Sequence, residues 1–181
     1  MKFLKNLFGK KQNDGTNCDL AFYEKLIDLI VVSPTLQETL QINLKKAFED
    51  PKSFYDDHNE FILSERGLTY PSDLSQTPKF VLIDLLEENG EMTEIDWKER
   101  ESEIRLYLNQ IRVAKKYNFS LVDDDLYTGF KTDKILRLID EKELSPQGYS
   151  IAELDIGSDS HPLTIVPLEI VKEVKLMFQE L

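Results

Sequence analysis

The clearest hydrophobic pattern in the chain runs from Phe80 to Trp97, FVLIDLLEENGEMTEIDW. Val81, Leu82, Leu85 and Leu86 recur at helical spacing and leave Asp84, Glu87 and Glu88 for solvent. Thr77-Pro78 supplies a hydroxyl cap followed by a proline at the first helical position, where no backbone N–H is needed. Asn89-Gly90 is a helix stop, because glycine accepts the left-handed conformation that closes a helix. Beyond it the period changes to two. Thr93, Ile95 and Trp97 alternate with Met92, Glu94, Asp96 and Lys98, which predicts a half-buried strand over 92–98 with Trp97 pointing inward beside Ile95.

Upstream, Leu20, Tyr23, Ile27 and Ile30 share one helical face, widened by Phe22, Leu26 and Leu29. Ser33-Pro34 caps and starts a second helix carrying Leu36, Leu40, Leu44, Ala47 and Phe48 on one stripe, so the pair reads as an αα-hairpin. Asp50-Pro51 restarts the chain, and Phe54, Tyr55, Phe61, Ile62 and Leu63 belong to one or two short helices before Arg66-Gly67. The proline-containing string 68–76 is a connection. After Trp97, acids Glu99, Glu101 and Glu103 suit a helix N-terminus and Lys115 and Lys116 its end. Ile104, Leu108 and Ile111 form the inner stripe, which predicts one helix across this span. A loop over 118–129 holds Asp123, Asp124 and Asp125. Thr132 then caps a helix with Ile135, Leu138 and Ile139 inward.

The last third predicts a hairpin and a closing helix. Tyr149, Ile151, Glu153 and Asp155 alternate with Ser150, Ala152, Leu154 and Ile156 in a strand over 149–156, and 163–166 is its partner beyond a loop containing His161-Pro162. Ile170, Val174, Met177 and Leu181, with Val171 and Phe178, give the terminal amphipathic helix. Three strands among many helices, with no glycine-rich phosphate loop and no repeated βαβ unit, predict an α+β class: a helix-rich single domain with a small, mainly antiparallel three-stranded sheet. Residues 1–17 form a basic amphipathic tail and linker, and 18–181 form the domain, helical over 18–67 and mixed over 68–181.

Composition narrows the function. The 181 residues carry a formal charge of −12, which opposes a general nucleic-acid binder and favours a basic protein partner. None of the 34 acidic side chains lies in residues 1–12, where Lys2, Lys5, Lys10 and Lys11 sit among Phe3, Leu4, Leu7 and Phe8. That segment suits contact with a membrane surface or a docking partner and is too short to span a bilayer. It lacks the longer apolar run and small-residue cleavage site of a secretory signal. One cysteine, Cys18, leaves no intramolecular disulfide framework and fits a cytoplasmic setting.

The run from Tyr70-Pro71 through Ile95-Asp96-Trp97-Lys98-Glu99, followed by Leu154-Asp155-Ile156-Gly157-Ser158-Asp159-Ser160, resembles an uncharacterised bacterial domain of unknown function. The resemblance covers the C-terminal half or more. It implies a bacterial cytoplasmic protein with no assigned catalytic residues; separately, no cofactor is expected from the sequence. A looser similarity is to the SMI1/KNR4 superfamily, through Tyr70-Pro71-Ser72-Asp73 and Asn89-Gly90.

Candidate chemistry sits in a few places. Asp155, Asp159 and His161 offer oxygen and imidazole ligands to a divalent metal, although Asp and Ser also serve turns by bonding their own backbone. His58 lies beside Asp56 and Asp57 as a general base would, but no serine or cysteine is placed by sequence as its nucleophile. Cys18 precedes a helix start, where a thiolate is favoured. Trp97 is a core anchor or the floor of a pocket. Glu87, Glu88, Glu91, Glu94 and Asp96, with Asp84, form an acidic candidate interaction surface. The sequence therefore points to a non-catalytic protein-interaction domain, immunity- or inhibitor-like and binding a basic partner. The alternative is a divalent-metal-dependent enzyme using the 155–161 turn.

Overall fold

The computed structural model describes residues 18–55, 63–122 and 125–181. The tail over 1–17, the His58 group with Asp56 and Asp57, Phe61, Ile62, Asp123 and Asp124 lie outside the described residues. Among those described there are seven α-helices and three strands, and the predicted α+β class, helix-rich with a three-stranded antiparallel sheet, holds. No helix among them is long and apolar enough to cross a membrane.

Helices α1 (Leu20–Ile30) and α2 (Pro34–Glu49) form the expected hairpin. The Asp19 carboxylate accepts the Phe22 N–H at 3.0 Å and Ser33 Oγ accepts the Leu36 N–H at 3.4 Å, satisfying amides that the first turn leaves open. Their buried stripes close on α3 (Thr77–Glu88), which is the hub of the molecule. Every residue of α3 from Thr77 to Ile83 is buried, as are Leu85 and Leu86. The amphipathic pattern thus understated its burial: of Asp84, Glu87 and Glu88, only Glu88 is fully exposed. Thr77 is already helical rather than the cap, and its Oγ1 donates to the Leu74 carbonyl. The predicted stop stands, with Gly90 at φ +68° and the Gly90 and Glu91 amides closing on the Glu87 and Leu86 carbonyls.

The sheet has the order β1 (Thr93–Asp96), β3 (Ser160–Pro167), β2 (Tyr149–Glu153), antiparallel throughout. Each strand departs from its predicted limits. β1 ends at Asp96 because that carboxylate accepts the Lys98 N–H at 2.8 Å and its carbonyl accepts the Glu99 N–H, so the chain turns away. Trp97 therefore leaves the sheet and is 45% exposed, against the expectation that it points inward. β2 stops at Glu153, whereas β3 begins at Ser160 and takes in His161 and Pro162, which the sequence pattern puts in the loop. Pro162 pairs with Glu94, and its carbonyl accepts the Leu154 N–H just past the end of β2, so the missing proline N–H costs little at that frayed end.

Both faces of the sheet are covered. Ala152, Leu154 and Val166 meet α1, α2, α3 and the terminal helix α7 (Leu168–Glu180). Ile95, Ile151, Leu163 and Ile165 meet α4 (Glu101–Gln110), α5 (Arg112–Tyr117) and α6 (Thr132–Ile139). The single helix predicted after Trp97 is two helices. Ile111 is extended at ψ 139°, and the Arg112 amide bonds the Gly90 carbonyl at 2.7 Å, so a tertiary contact replaces a helical one. On α6, Leu136 takes the buried place expected for Leu138, beside Ile135 and Ile139. A π-helical turn, Asp140–Leu144, leads from α6 toward β2.

Candidate functional site

The Trp97 turn is joined to α6 through the Thr132 hydroxyl. Thr132 Oγ1 donates to the Trp97 carbonyl at 2.7 Å, so the residue expected to cap α6 instead fastens it to the end of β1. Phe130, two residues before Thr132, is 55% exposed, and Leu126 is equally open. The Lys98 ammonium lies 4.2 Å from the centre of the Trp97 ring. Large aromatic surface left open in this way resembles the anchors of protein interfaces, where tryptophan is enriched.

A buried ion network centres on Arg105 of α4. Arg105, 2% exposed, donates to Glu101 Oε1 from Nε and Nη2 at 3.0 and 2.7 Å, and to both Glu143 oxygens at 2.8 and 2.9 Å. It also donates to the Val122 carbonyl at 3.2 Å, while Glu101 Oε2 accepts the Tyr127 N–H at 2.6 Å. Burial works against the Arg105 charge, but the hydrogen bonds to Glu143 and Glu101 outweigh it and hold the guanidinium pKa above its ordinary value. The network ties Val122 and Tyr127 to α4 and to the π turn. Of this network the sequence singled out Glu101, as an acid at a helix N-terminus; Arg105 and Glu143 did not stand out, and the one signal of pairing was the Glu101–Arg105 spacing of four on a predicted helix.

The acidic candidate surface separates into unlike environments. Arg66 donates from Nε to Asp84 at 2.5 Å, from Nη2 to Glu87 at 3.0 Å and from Nη1 to Glu94 at 2.9 Å, with its guanidinium stacked on the Phe80 ring. Ser160 Oγ donates to the other Glu94 oxygen. One cation thus faces three carboxylates. Burial raises the pKa of Asp84 and of Glu87, with the Glu94 charge adding to the shift in both, against the pull of Arg66. Glu91 is 1% exposed and both its oxygens lack a hydrogen bond of good geometry. Burial pushes its pKa up, opposed by the Val32 and Ser33 amides at the start of α2 and by Arg112 and Lys116. Glu88 and Asp96 are exposed, the latter bonded to the Lys98 amide.

In the 155–161 turn, the candidate ligands bond to their neighbours. Asp155 Oδ1 accepts the Gly157 N–H at 2.8 Å, and the His161 Nδ1 lies 2.7 Å from Glu153 Oε1. Asp159 is exposed. Among the described residues no three His, Cys, Asp or Glu side chains form a group that could hold a metal ion. The Asp155 carbonyl accepts the buried Lys79 ammonium at 2.7 Å, and burial lowers the Lys79 pKa against the opposing Asp155 charge. Cys18 precedes the start of α1 as expected, but its thiolate is not favoured there. Its Sγ donates to the Glu180 carbonyl, and burial, with Glu180 and Asp19 nearby, raises its pKa.

These features define a helix-rich α+β domain whose sheet is buried on both faces and whose open aromatic surface lies just beyond β1. A family model described as Domain of unknown function (DUF6630) matches residues 23–181, and the chain belongs to that family. The match bears out the resemblance to a domain of unknown function; a bacterial source and the SMI1/KNR4 likeness rest on sequence motifs alone. No curated protein and no solved structure matches the chain.

Proposed function

We propose that this protein is a non-catalytic protein-interaction domain, of the inhibitor or immunity type, that engages a basic protein partner in the cytoplasm. The observation that carries the proposal is the exposed aromatic pair Trp97 and Phe130, held on either side of the Thr132–Trp97 hydrogen bond. A tryptophan whose ring is open to water while its carbonyl is held by Thr132 is suited to an anchor role. The excess of 34 acidic over 22 basic side chains supplies a long-range field that draws a cationic partner, while the aromatic surface supplies the contact. The test compares affinity capture by the wild-type chain and by the Trp97→Ala/Phe130→Ala double variant, with matched thermal stability. Retention of basic proteins at low salt by the wild type, lost in the variant, is the expected result. Identical recoveries from the two proteins would refute the assignment.

A further inference from the structure

Residues 1–17 precede Cys18, and the point from which they depart is fixed. The Cys18 Sγ donates to the Glu180 carbonyl at 3.4 Å, and the Asp19 carboxylate beside it caps α1. Cys18 stands in the wall of a cleft of about 790 Å³ bounded by the start of α1, the end of α2, the stretch that leads into α3 and the end of α7. Tyr23, Phe48, Pro51, Leu74 and Pro78 give this cleft its apolar lining. Phe48 and Leu74 are 38% and 36% exposed, and Phe48 is held edge-on against the buried Tyr23 ring at 5.6 Å. Exposed apolar surface gathered in one concave place, rather than scattered singly, marks a docking site.

The charged groups of the cleft leave its apolar lining open. Lys79 turns its ammonium to the Asp155 carbonyl at 2.7 Å. The Glu180 charge acts on the Cys18 thiol, so an acid stands where the chain departs toward residue 17. The neighbouring groove between α1 and α7, by contrast, is bridged by Lys25 and Glu173 at 2.6 Å.

We infer that this cleft is the berth of the chain's own segment 1–12, which seats Phe3, Leu4, Leu7 and Phe8 against Phe48 and Leu74. Charge selects that occupant: Lys2, Lys5, Lys10 and Lys11 lie in the segment with no acid, whereas side chains from Asn13 onward sum to 18 − 34 = −16. Reach permits it. Phe8 is ten residues from Cys18, and an extended chain covers at most about 33–36 Å over that length, so a cleft that Cys18 itself lines is within range. Tethering favours it over a separate peptide, because a short linker holds the segment at an effective concentration on the order of millimolar. None of the lining residues belongs to the Trp97 surface, so the docking holds whether or not that surface binds a partner.

Paramagnetic broadening in the full chain tests the inference. A nitroxide is attached at Asn6→Cys in a Cys18→Ser background, where the serine hydroxyl can keep the bond to the Glu180 carbonyl. Loss of amide peak intensity is expected at Phe48, Leu74 and Ser75, with Leu106 on α4 unaffected and the pattern unchanged on dilution. Leu7→Ser combined with Phe8→Ser should restore those peaks, and so should Leu74→Glu. The first variant leaves every lining residue in place, so it reads docking even where Leu74→Glu fails to fold. Full intensity at the cleft in the parent protein, broadening spread evenly over the domain, or broadening that survives Leu7→Ser with Phe8→Ser overturns the inference. Broadening of an isotope-labelled chain by a separate nitroxide-bearing chain would assign the cleft to the segment of a second copy, and also overturns it.

Discussion

Single residues in this protein carry charge where water does not reach. Glu91 is the sharpest case, a carboxylate 1% exposed with no hydrogen bond of good geometry on either oxygen. Its pKa is raised above the ordinary 4.5, so the native state retains a proton over a range in which the unfolded chain has lost it. Its contribution to stability is therefore fully present below about pH 4.5 and is lost as pH rises through the folded value. Glu91→Gln should raise the melting temperature at pH 7, and the gap from wild type should shrink as pH falls toward 4.5, as followed by circular dichroism. A variant less stable than wild type at pH 7 would show that the α2 amides and Arg112 outweigh desolvation. The sequence placed Glu91 on an acidic surface because charge pattern carries no record of burial. It placed Trp97 in the core because a period-two pattern continues through Trp97, whereas the Asp96 carboxylate ends the strand by bonding the Lys98 amide.

Elements that the sequence made legible are those whose burial is one-sided. The stripes of α1, α2 and α7 read directly as amphipathic helices, and the Gly90 stop fixed the end of α3. The break between α4 and α5 was not legible, since its cause is the Gly90 carbonyl, distant in sequence from Arg112. The limits of β2 and β3 were obscured by Pro162, which sequence rules assign to a loop and which the sheet tolerates at its end. Between elements, Arg105 joins α4, Val122, Tyr127 and the π turn. Arg105→Ala leaves Glu101 buried without its cation and should cost about 3–5 kcal/mol in urea unfolding. The same substitution should loosen the segment bearing Leu126, readable as faster amide exchange at Tyr127. Arg105→Met, which fills the space but removes the charge, should also destabilise, whereas a near-neutral effect would mean that the ion network adds little beyond packing.

At the scale of the whole molecule, two hydrophobic clusters on opposite faces of one small sheet account for the chain's stability, and the Trp97 surface sits at the margin of that sheet. The class of fold was legible because the three strands and their helical surroundings are local patterns. The Trp97 surface was less so, because Thr132 meeting Trp97 is a long-range juxtaposition. With Asp155 and His161 engaged in local bonds, Asp159 exposed and no group of three ligating side chains among the described residues, Ca²⁺, Mg²⁺, Mn²⁺ and Zn²⁺ are expected to leave the melting temperature unchanged. A specific ion at 100 times its dissociation constant would stabilise by about 2.7 kcal/mol, well within the reach of a thermal-shift assay.

Trp97 is the only tryptophan, so its fluorescence reports one surface without interference. Acrylamide quenching of that emission, measured on the free protein and on its isolated complex with a basic partner, tests the proposed interaction surface most directly. Free quenching in the protein alone and strong protection in the complex is the predicted pair of results. A tryptophan equally accessible in both states would contradict the assignment of the Trp97–Phe130 surface as the binding site.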